Sequence, residues 1–256
     1  MENSILLTPF FLDQSLPGLI SLAKPGWAAN RPALPQGGNP QAAMSIVHKG
    51  IARHVEKILN DGNRPVSIAG DCCTAIGVLA GIQRTGIDPH LIWFDAHGDF
   101  NTRETSPSGF LGGMPLAMMV GRGEQTMAQA VGLDPIPEER VILTDGRDLD
   151  PEERDAIDAS AIVHMARAEA LLDLPLPPGP IYVHVDLDIV PAEEMPAHNY
   201  PASGGPSTDV LHKFFERLNA SGRVVAVSVS TWNPDLDRDG RSERIGLSLI
   251  ASLVGE

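Results

Sequence analysis

An α/β fold, a mostly parallel β-sheet flanked by helices on both faces, is what this sequence predicts, and three observations predict it. Short β-rich runs alternate with helical patterns along the chain, the order that βαβ units impose. Several of the runs, such as "PIYVHVDLDIV", are nearly continuous in apolar residues, as strands covered on both faces must be. Acidic clusters follow two of these runs, and open α/β sheets keep their sites at the carboxyl ends of strands.

Strands are expected at 4–10 ("SILLTPF"), 65–70 ("PVSIAG"), 90–99 ("HLIWFDAHGD"), 140–146 ("RVILTDG"), 161–165 ("AIVHM"), 180–190 ("PIYVHVDLDIV") and 223–231 ("RVVAVSVST"). Each is rich in Val, Ile or aromatic residues, which suit a pleated, buried surface. Helices are expected at about 41–59, 74–84, 152–160, 208–220 and 241–254, where apolar residues recur at helical spacing. Asp148 or Asp150 is placed to start the third, and the Ser-Thr-Asp step around Thr208 to start the fourth. Residues 16–40 are rich in Pro, Gly and Asn and read as a surface loop near the sheet edge, and 175–180 ("PLPPGP") as a turn into a strand. No linker, internal repeat or low-complexity tract divides the chain, so residues 1–256 are expected to form one domain.

Composition removes several classes of function. With 19 Lys+Arg against 33 Asp+Glu, the net charge of −14 opposes nucleic-acid binding, which needs a basic surface. Aromatic residues at 5% are too few to build stacking platforms for bases. No apolar run is long enough to span a bilayer. The N-terminal "MENSILLTPFFLDQ" has no basic region before its apolar stretch and does not read as a signal peptide. Only two cysteines are present, which together with the missing export signal points to the cytoplasm.

Those two cysteines, Cys72 and Cys73, are adjacent in "VSIAGDCCTAIG". Neighbouring cysteines are poorly placed to bridge each other. They are either small apolar residues opening a core helix or the source of a metal ligand, and the segment alone does not decide.

The strongest chemical signal is "WFDAHGDFN", with Asp95, His97 and Asp99. In an extended segment residues i, i+2 and i+4 point to one side, so two carboxylates and an imidazole are expected to converge beyond the strand. Asp186 and Asp188 repeat the i, i+2 pattern in "YVHVDLDIVP". Four carboxylates brought together are very unfavourable unless cations neutralise them. Oxygen-rich sites with a few imidazoles suit Mn²⁺ or Mg²⁺ better than Zn²⁺, and shared carboxylates suggest two ions.

Read in chain order, "AGDC", "DAHGD" and "DLD" resemble the three metal-binding segments of the ureohydrolase superfamily, which includes arginases, agmatinases and formimidoylglutamases. The resemblance covers nearly the whole chain. It implies an arginase-like parallel sheet flanked by helices and two Mn²⁺ ions at the strand ends. Asp95 and Asp186 would bridge the ions, Asp99 and Cys72 would complete one, and His97 and Asp188 the other. Cys72 falls where the family has its first histidine. By the resemblance it is a thiolate ligand, the alternative being a lost ligand with water in its place, and Cys73 is packing. A thiolate adds negative charge and softens one site. The resemblance further implies that Asn101 and Ser108 meet a substrate α-carboxylate and that Asp150, with Glu153, meets the α-amino group. Taken alone, Asn101 and Ser108 are loop residues and Asp150 is equally a helix cap.

Two positions depart from the arginase pattern. Gly112 stands in "SGFLGGMP" where arginases have a proton-shuttling histidine, and Thr231 in "VSTWNP" where they have a glutamate that contacts the guanidinium. Both departures fit a less basic, more electrophilic guanidine. That combination resembles the Nω-hydroxy-L-arginine amidinohydrolase branch associated with D-cycloserine biosynthesis, which also carries a cysteine in the metal site. The resemblance implies attack of a metal-bridging hydroxide on the guanidino carbon, release of L-ornithine and hydroxyurea, and Asp99 as proton relay. His198 in "PAHNYPASGG" is the candidate replacement shuttle at the site mouth, with Tyr200 and Phe110 beside it. His184 is expected behind the ligands or in the core, and Trp27 and Trp93 in the core. The alternatives are an arginase or other guanidino- or formimino-acid hydrolase, and a catalytically silent paralogue acting as a binding subunit. Family relatives imply a possible homo-oligomer.

Overall fold

The computed structural model describes residues 1–256, Leu171 by its backbone alone. Ten strands are formed: β1 (Asn3–Thr8), β2 (Phe10–Phe11), β3 (Gln14–Ser15), β4 (Ala28–Ala29), β5 (Arg64–Ala69), β6 (His90–Asp95), β7 (Val141–Asp145), β8 (Val163–Met165), β9 (Ile181–Asp186) and β10 (Val224–Ser230). Eight of them make one sheet in the order β4-β1-β5-β10-β9-β6-β7-β8, and every pair in it is parallel. β2 and β3 form a small antiparallel hairpin beside it.

The helices are α1 (Pro40–Asn60), α2 (Ala75–Gln83), α3 (Pro115–Met119), α4 (Thr126–Val131), α5 (Pro151–Asp158), α6 (Thr208–Ala220) and α7 (Arg241–Val254). α1, α2 and α4 pack together over one face of the sheet, and α6 packs on α7 over the other. Alternation along the strands feeds both layers. On β6, Leu91 and Trp93 join the core under α1 and α2, while Ile92 and Phe94 join the one under α6 and α7. This two-sided burial explains why the central strands read as unbroken apolar runs.

The expected helices appear within one or two residues of their predicted ends, and Asp150 and Ser207 cap α5 and α6. Two strand readings are corrected. β6 stops at Asp95 and β9 at Asp186. Asp188 lies in a 3₁₀ turn, and Asp99 has φ +50° in the left-handed region. The carboxylates are therefore gathered by turns and not by strand alternation. The loop at 16–40 is also more built than its composition suggests: β4 pairs with β1, and Leu19 and Leu22 are buried.

Connectivity creates the crevice. The chain passes from β5 to β6 across the space that β10 and β9 later fill. Loops leaving β5 and β6 thus splay apart at the carboxyl edge, the topological position at which such sheets bind ligands. Among the described residues, no helix is long and apolar enough to cross a membrane.

Candidate metal centre and pocket

Four neighbouring strands deliver the site. Cys72 follows β5, Asp95 ends β6 with His97 and Asp99 in the turn beyond, Asp186 ends β9 with Asp188 in the next turn, and Thr231 follows β10. All but Asp95 line one pocket of about 830 Å³, counted out to its mouth.

The donor atoms form two overlapping groups. Cys72, Asp95, His184 and Asp186 place ligand atoms within 4.8 Å of one another, and so do Asp95, His97 and Asp188. Asp95 is common to both, as a ligand shared between two ions would be. His97 turns Nδ1 toward Asp188 Oδ2 at 3.1 Å and Asp95 Oδ1 at 3.4 Å. Trp93, expected simply as core, is buried and also donates its indole N–H to Asp95 Oδ2 at 3.0 Å. The Asp95 carboxylate also accepts the His97 backbone N–H at 2.7 Å.

Electrostatics describe a centre that lacks positive charge. Burial, followed by Asp95 and Asp186, pushes the Asp99 carboxyl well above its usual range. Burial, followed by Asp186 and Asp95, does the same to Asp188. Burial and the carboxylates of Asp186, Asp99 and Asp95 raise the Cys72 thiol. Burial opposes a charge on His97, but hydrogen bonds to Asp188 and Asp95 outweigh it and pull the imidazole up to about 12. Asp99 Oδ2 is buried with no hydrogen-bond partner. A buried carboxylate oxygen in that state needs a cation or a proton. Cys72, Asp95, Asp99, Asp186, Asp188 and His97 therefore fit a pair of divalent ions.

His184 belongs to the same neighbourhood, but its ring is already engaged. Nδ1 meets Ser228 Oγ at 2.7 Å and Nε2 meets Ser230 Oγ at 3.2 Å, while the ring stacks on Trp93 with centroids 3.7 Å apart. Burial lowers its pKa to about 3. Asp99 stands outside both groups, and its Oδ2 is left without a partner.

The substrate candidates divide. Asn101, Ser108, Asp150, Glu153, Gly112 and Thr231 all line the pocket. Asn101 Nδ2 donates to Asp150 Oδ2 at 3.0 Å, so these two form one polar unit. Asp150 and Glu153 make a capping box on α5, and Glu153 also accepts the Phe100 N–H at 2.8 Å. Cap and pocket wall are thus the same residues. Burial pushes the Glu153 carboxyl up to about 7. Ser108 is exposed at the rim. A Cβ on Gly112 would lie 2.3 Å from the Phe110 ring, so this glycine lets the ring fold inward. His198 is not at the mouth. Its main chain bridges Trp232, its ring is buried, and it does not line the pocket. The ring is enclosed beside the Trp232 segment and not open at the rim, which corrects the reading of it as a residue of the site mouth.

Other residues were missed by sequence reasoning. Phe11, from the β2–β3 hairpin, joins Phe110 and Tyr200 in a ring cluster with centroids 5.2–6.3 Å apart at the mouth. Asp71 lines the pocket, accepts the Leu12 N–H at 2.9 Å, and is pushed by burial to about 6. Its place inside "AGDC" was the available signal. Arg147 ties Asp145 at 3.0 Å to the Asp188 carbonyl at 3.1 Å, holding the Asp188 turn from outside. Three non-glycine residues have positive φ: Asp99 and Thr231 line this pocket, and Leu12 donates its N–H to Asp71, which lines it too. Backbone strain of this kind concentrates at functional sites.

Comparison with known proteins follows the same lines. The model of the arginase family matches residues 30–255. Arginase of Bacillus subtilis (strain 168) is 32% identical over 218 residues, covering 80% of this chain and 74% of the relative. The N(omega)-hydroxy-L-arginine amidinohydrolase of Streptomyces lavendulae is 27% identical over 214 residues, covering 82% and 75%. A crystal structure of arginase from Bacillus subtilis superposes with a TM-score of 0.85 at 27% identity, covering 100% of this chain and 99% of that one.

Proposed function

The chain belongs to the arginase family, hydrolases of C–N bonds in guanidino groups, and on that premise we propose that it uses two Mn²⁺ ions to convert Nω-hydroxy-L-arginine and water into L-ornithine and hydroxyurea. Asp95 and Asp186 would be shared between the ions, with Cys72 and Asp99 completing one side and His97 and Asp188 the other. Bound there, the ions would neutralise the carboxylates and supply a water that is deprotonated near neutral pH as the nucleophile.

The single observation that carries the choice of substrate is Thr231. It places a hydroxyl, not a carboxylate, in the pocket wall beside Cys72 and Asp186. A fully charged guanidinium has no dedicated counter-ion on that wall. A hydroxyguanidine is less basic, because its N-hydroxyl withdraws electrons, and it needs that counter-ion less. Gly112, roofed by Phe110, offers no acid–base group. The residues then divide the work. Asp150 and Glu153 receive the α-ammonium, and Asn101 and Ser108 offer neutral donors to the carboxylate, since no Lys or Arg lines the pocket. Asp99, buried with a free carboxylate oxygen, carries a proton to the leaving amine. The relative from Streptomyces lavendulae, whose name describes this reaction, supports the reading.

The second reading is an arginase, favoured by relatives of that name at 31–32% identity. Manganese-loaded protein given Nω-hydroxy-L-arginine or L-arginine separates the two, with ornithine read together with hydroxyurea or urea. A strong preference for the hydroxylated substrate is expected. Equal or better use of L-arginine would replace the first reading with the second.

A further inference from the structure

Asp186 is held by more donors than any other carboxylate in the pocket. Its Oδ2 accepts from Cys72 Sγ at 2.9 Å, from Ser230 Oγ at 3.1 Å and from Thr231 Oγ1, and its Oδ1 accepts the Asp188 N–H at 3.0 Å. Thr231 Oγ1 also lies 3.6 Å from Cys72 Sγ, so one hydroxyl touches both side chains.

Behind Ser230 runs a buried chain. Ser230 Oγ meets His184 Nε2 at 3.2 Å, His184 Nδ1 meets Ser228 Oγ at 2.7 Å, and Ser228 Oγ meets Tyr182 Oη at 2.6 Å. Each hydroxyl carries one proton. Ser230 gives its proton to the carboxylate, so it accepts from Nε2–H. Nδ1 then accepts from Ser228, and Ser228 accepts from Tyr182. Every donor points toward Asp186, and no member of the chain is more than 2% exposed.

Thr231 is held at φ +59°. A β-branched residue in that region is strained, whereas glycine would adopt it freely. In this conformation the hydroxyl lies between Cys72 and Asp186 in the pocket wall. A cation at Cys72 requires the thiolate, which removes the thiol as a donor and leaves Asp186 Oδ2 to the Ser230 and Thr231 hydroxyls.

We propose that Thr231 and Ser230 are positioning residues of the metal centre: their hydroxyls, Ser230's ordered by the His184–Ser228–Tyr182 chain, fix Asp186 and Cys72 in the arrangement that retains the cation on the Cys72 side. The inference rests on the metal-site reading above and adds that Thr231 acts on the metal ligands, not only on the substrate.

The test compares the wild type with Thr231→Val, Thr231→Ser and Ser230→Ala. Calorimetric titration with Mn²⁺ measures affinity, the Co²⁺–thiolate absorption band reports the Cys72 side, and the melting temperature of metal-free protein controls for folding. Thr231→Val should weaken binding of one Mn²⁺ by about 10- to 100-fold, the effect of losing a support behind a ligand, and should shift the Co²⁺–thiolate band. Thr231→Ser should keep the affinity, and Ser230→Ala should weaken it. Metal-free Thr231→Val should melt near the wild type. Wild-type affinity and an unmoved band in Thr231→Val would overturn the inference while leaving the metal reading intact. Equal losses in the Val and Ser variants, with lowered metal-free melting, would also overturn it, by assigning Thr231 a merely structural role. A wild type that binds neither ion would overturn the metal reading and the inference together.

Discussion

The Sγ of Cys72 lies 2.9 Å from Oδ2 of Asp186, both side chains buried, at the ends of two strands separated by β10. This contact makes the thiol part of the carboxylate cluster and not a packing residue. Cys73, its neighbour, points away toward the Leu111 carbonyl at 3.4 Å. A thiolate favours softer ions than carboxylates do. Cys72→Ser should therefore weaken binding of Cd²⁺ much more than binding of Mn²⁺ and abolish the ultraviolet thiolate–Cd²⁺ absorption. Parallel titrations of the two proteins measure both effects. Equal losses for the two ions would remove Cys72 from the ligand set.

Much of this was legible in the sequence, for definite reasons. The central strands are covered on both faces, so their apolar runs are unbroken and easy to read. α6 and α7 have clear amphipathic periodicity, and their ends were placed correctly. The ligand residues sit in short turns after those strands, so their order along the chain survives as motif. What stayed hidden depends on long-range approach. Ser230 and His184 bond across neighbouring strands, 46 residues apart in sequence. Phe11 reaches Tyr200 from the opposite end of the chain. β4, two residues long, is a strand only because β1 supplies a partner. The left-handed turn at Asp99 leaves no trace in residue type, since an aspartate there looks like one in a strand.

Helices α1 and α2 approach so closely that only glycine fits at two points. A Cβ on Gly81 would lie 2.6 Å from Val55 Cβ and 2.7 Å from the Ala52 carbonyl, and one on Gly77 would lie 2.8 Å from the His48 carbonyl. Alanine gains about 1 kcal/mol in helix propensity, but overpacking a dense core costs about 1–3 kcal/mol. Because the contacts include backbone, which cannot swing aside, the clash should win. Gly81→Ala and Gly77→Ala are each expected to lower the urea midpoint. A rise in either midpoint would mean the helices separate freely.

His48, on the α1 face toward α2, is buried with Nδ1 unpartnered, and burial lowers its pKa from 6.5 to about 3. The unfolded chain takes up this proton as pH falls through 6.5, whereas the folded chain resists until about 3. Stability from neutral His48 is thus complete above pH 6.5 and drains as pH falls toward 3. The slope is at most about 1.4 kcal/mol per pH unit. His48→Leu should flatten the decline of unfolding free energy between pH 6 and 4 by about 1 kcal/mol per unit. Parallel slopes for the two proteins would show that His48 does not titrate on unfolding.

Asp150 caps α5 and also accepts from Asn101 at 3.0 Å in the pocket wall. The two roles respond differently to substitution. Serine caps a helix about as well as aspartate, but it carries no charge to receive an α-ammonium. Asp150→Ser should therefore keep stability within about 0.5 kcal/mol of wild type, while KM for the amino-acid substrate rises at least about tenfold, roughly the 1.4 kcal/mol or more that a charged hydrogen bond contributes. Asp150→Ala should lose both, about 1 kcal/mol of stability and the same affinity. Unfolding curves and steady-state kinetics on the two variants separate the contributions. An unchanged KM in Asp150→Ser would leave Asp150 as a cap alone, and Asp148 and Glu153, which line the same pocket, would be the neighbouring carboxylates left to meet the ammonium.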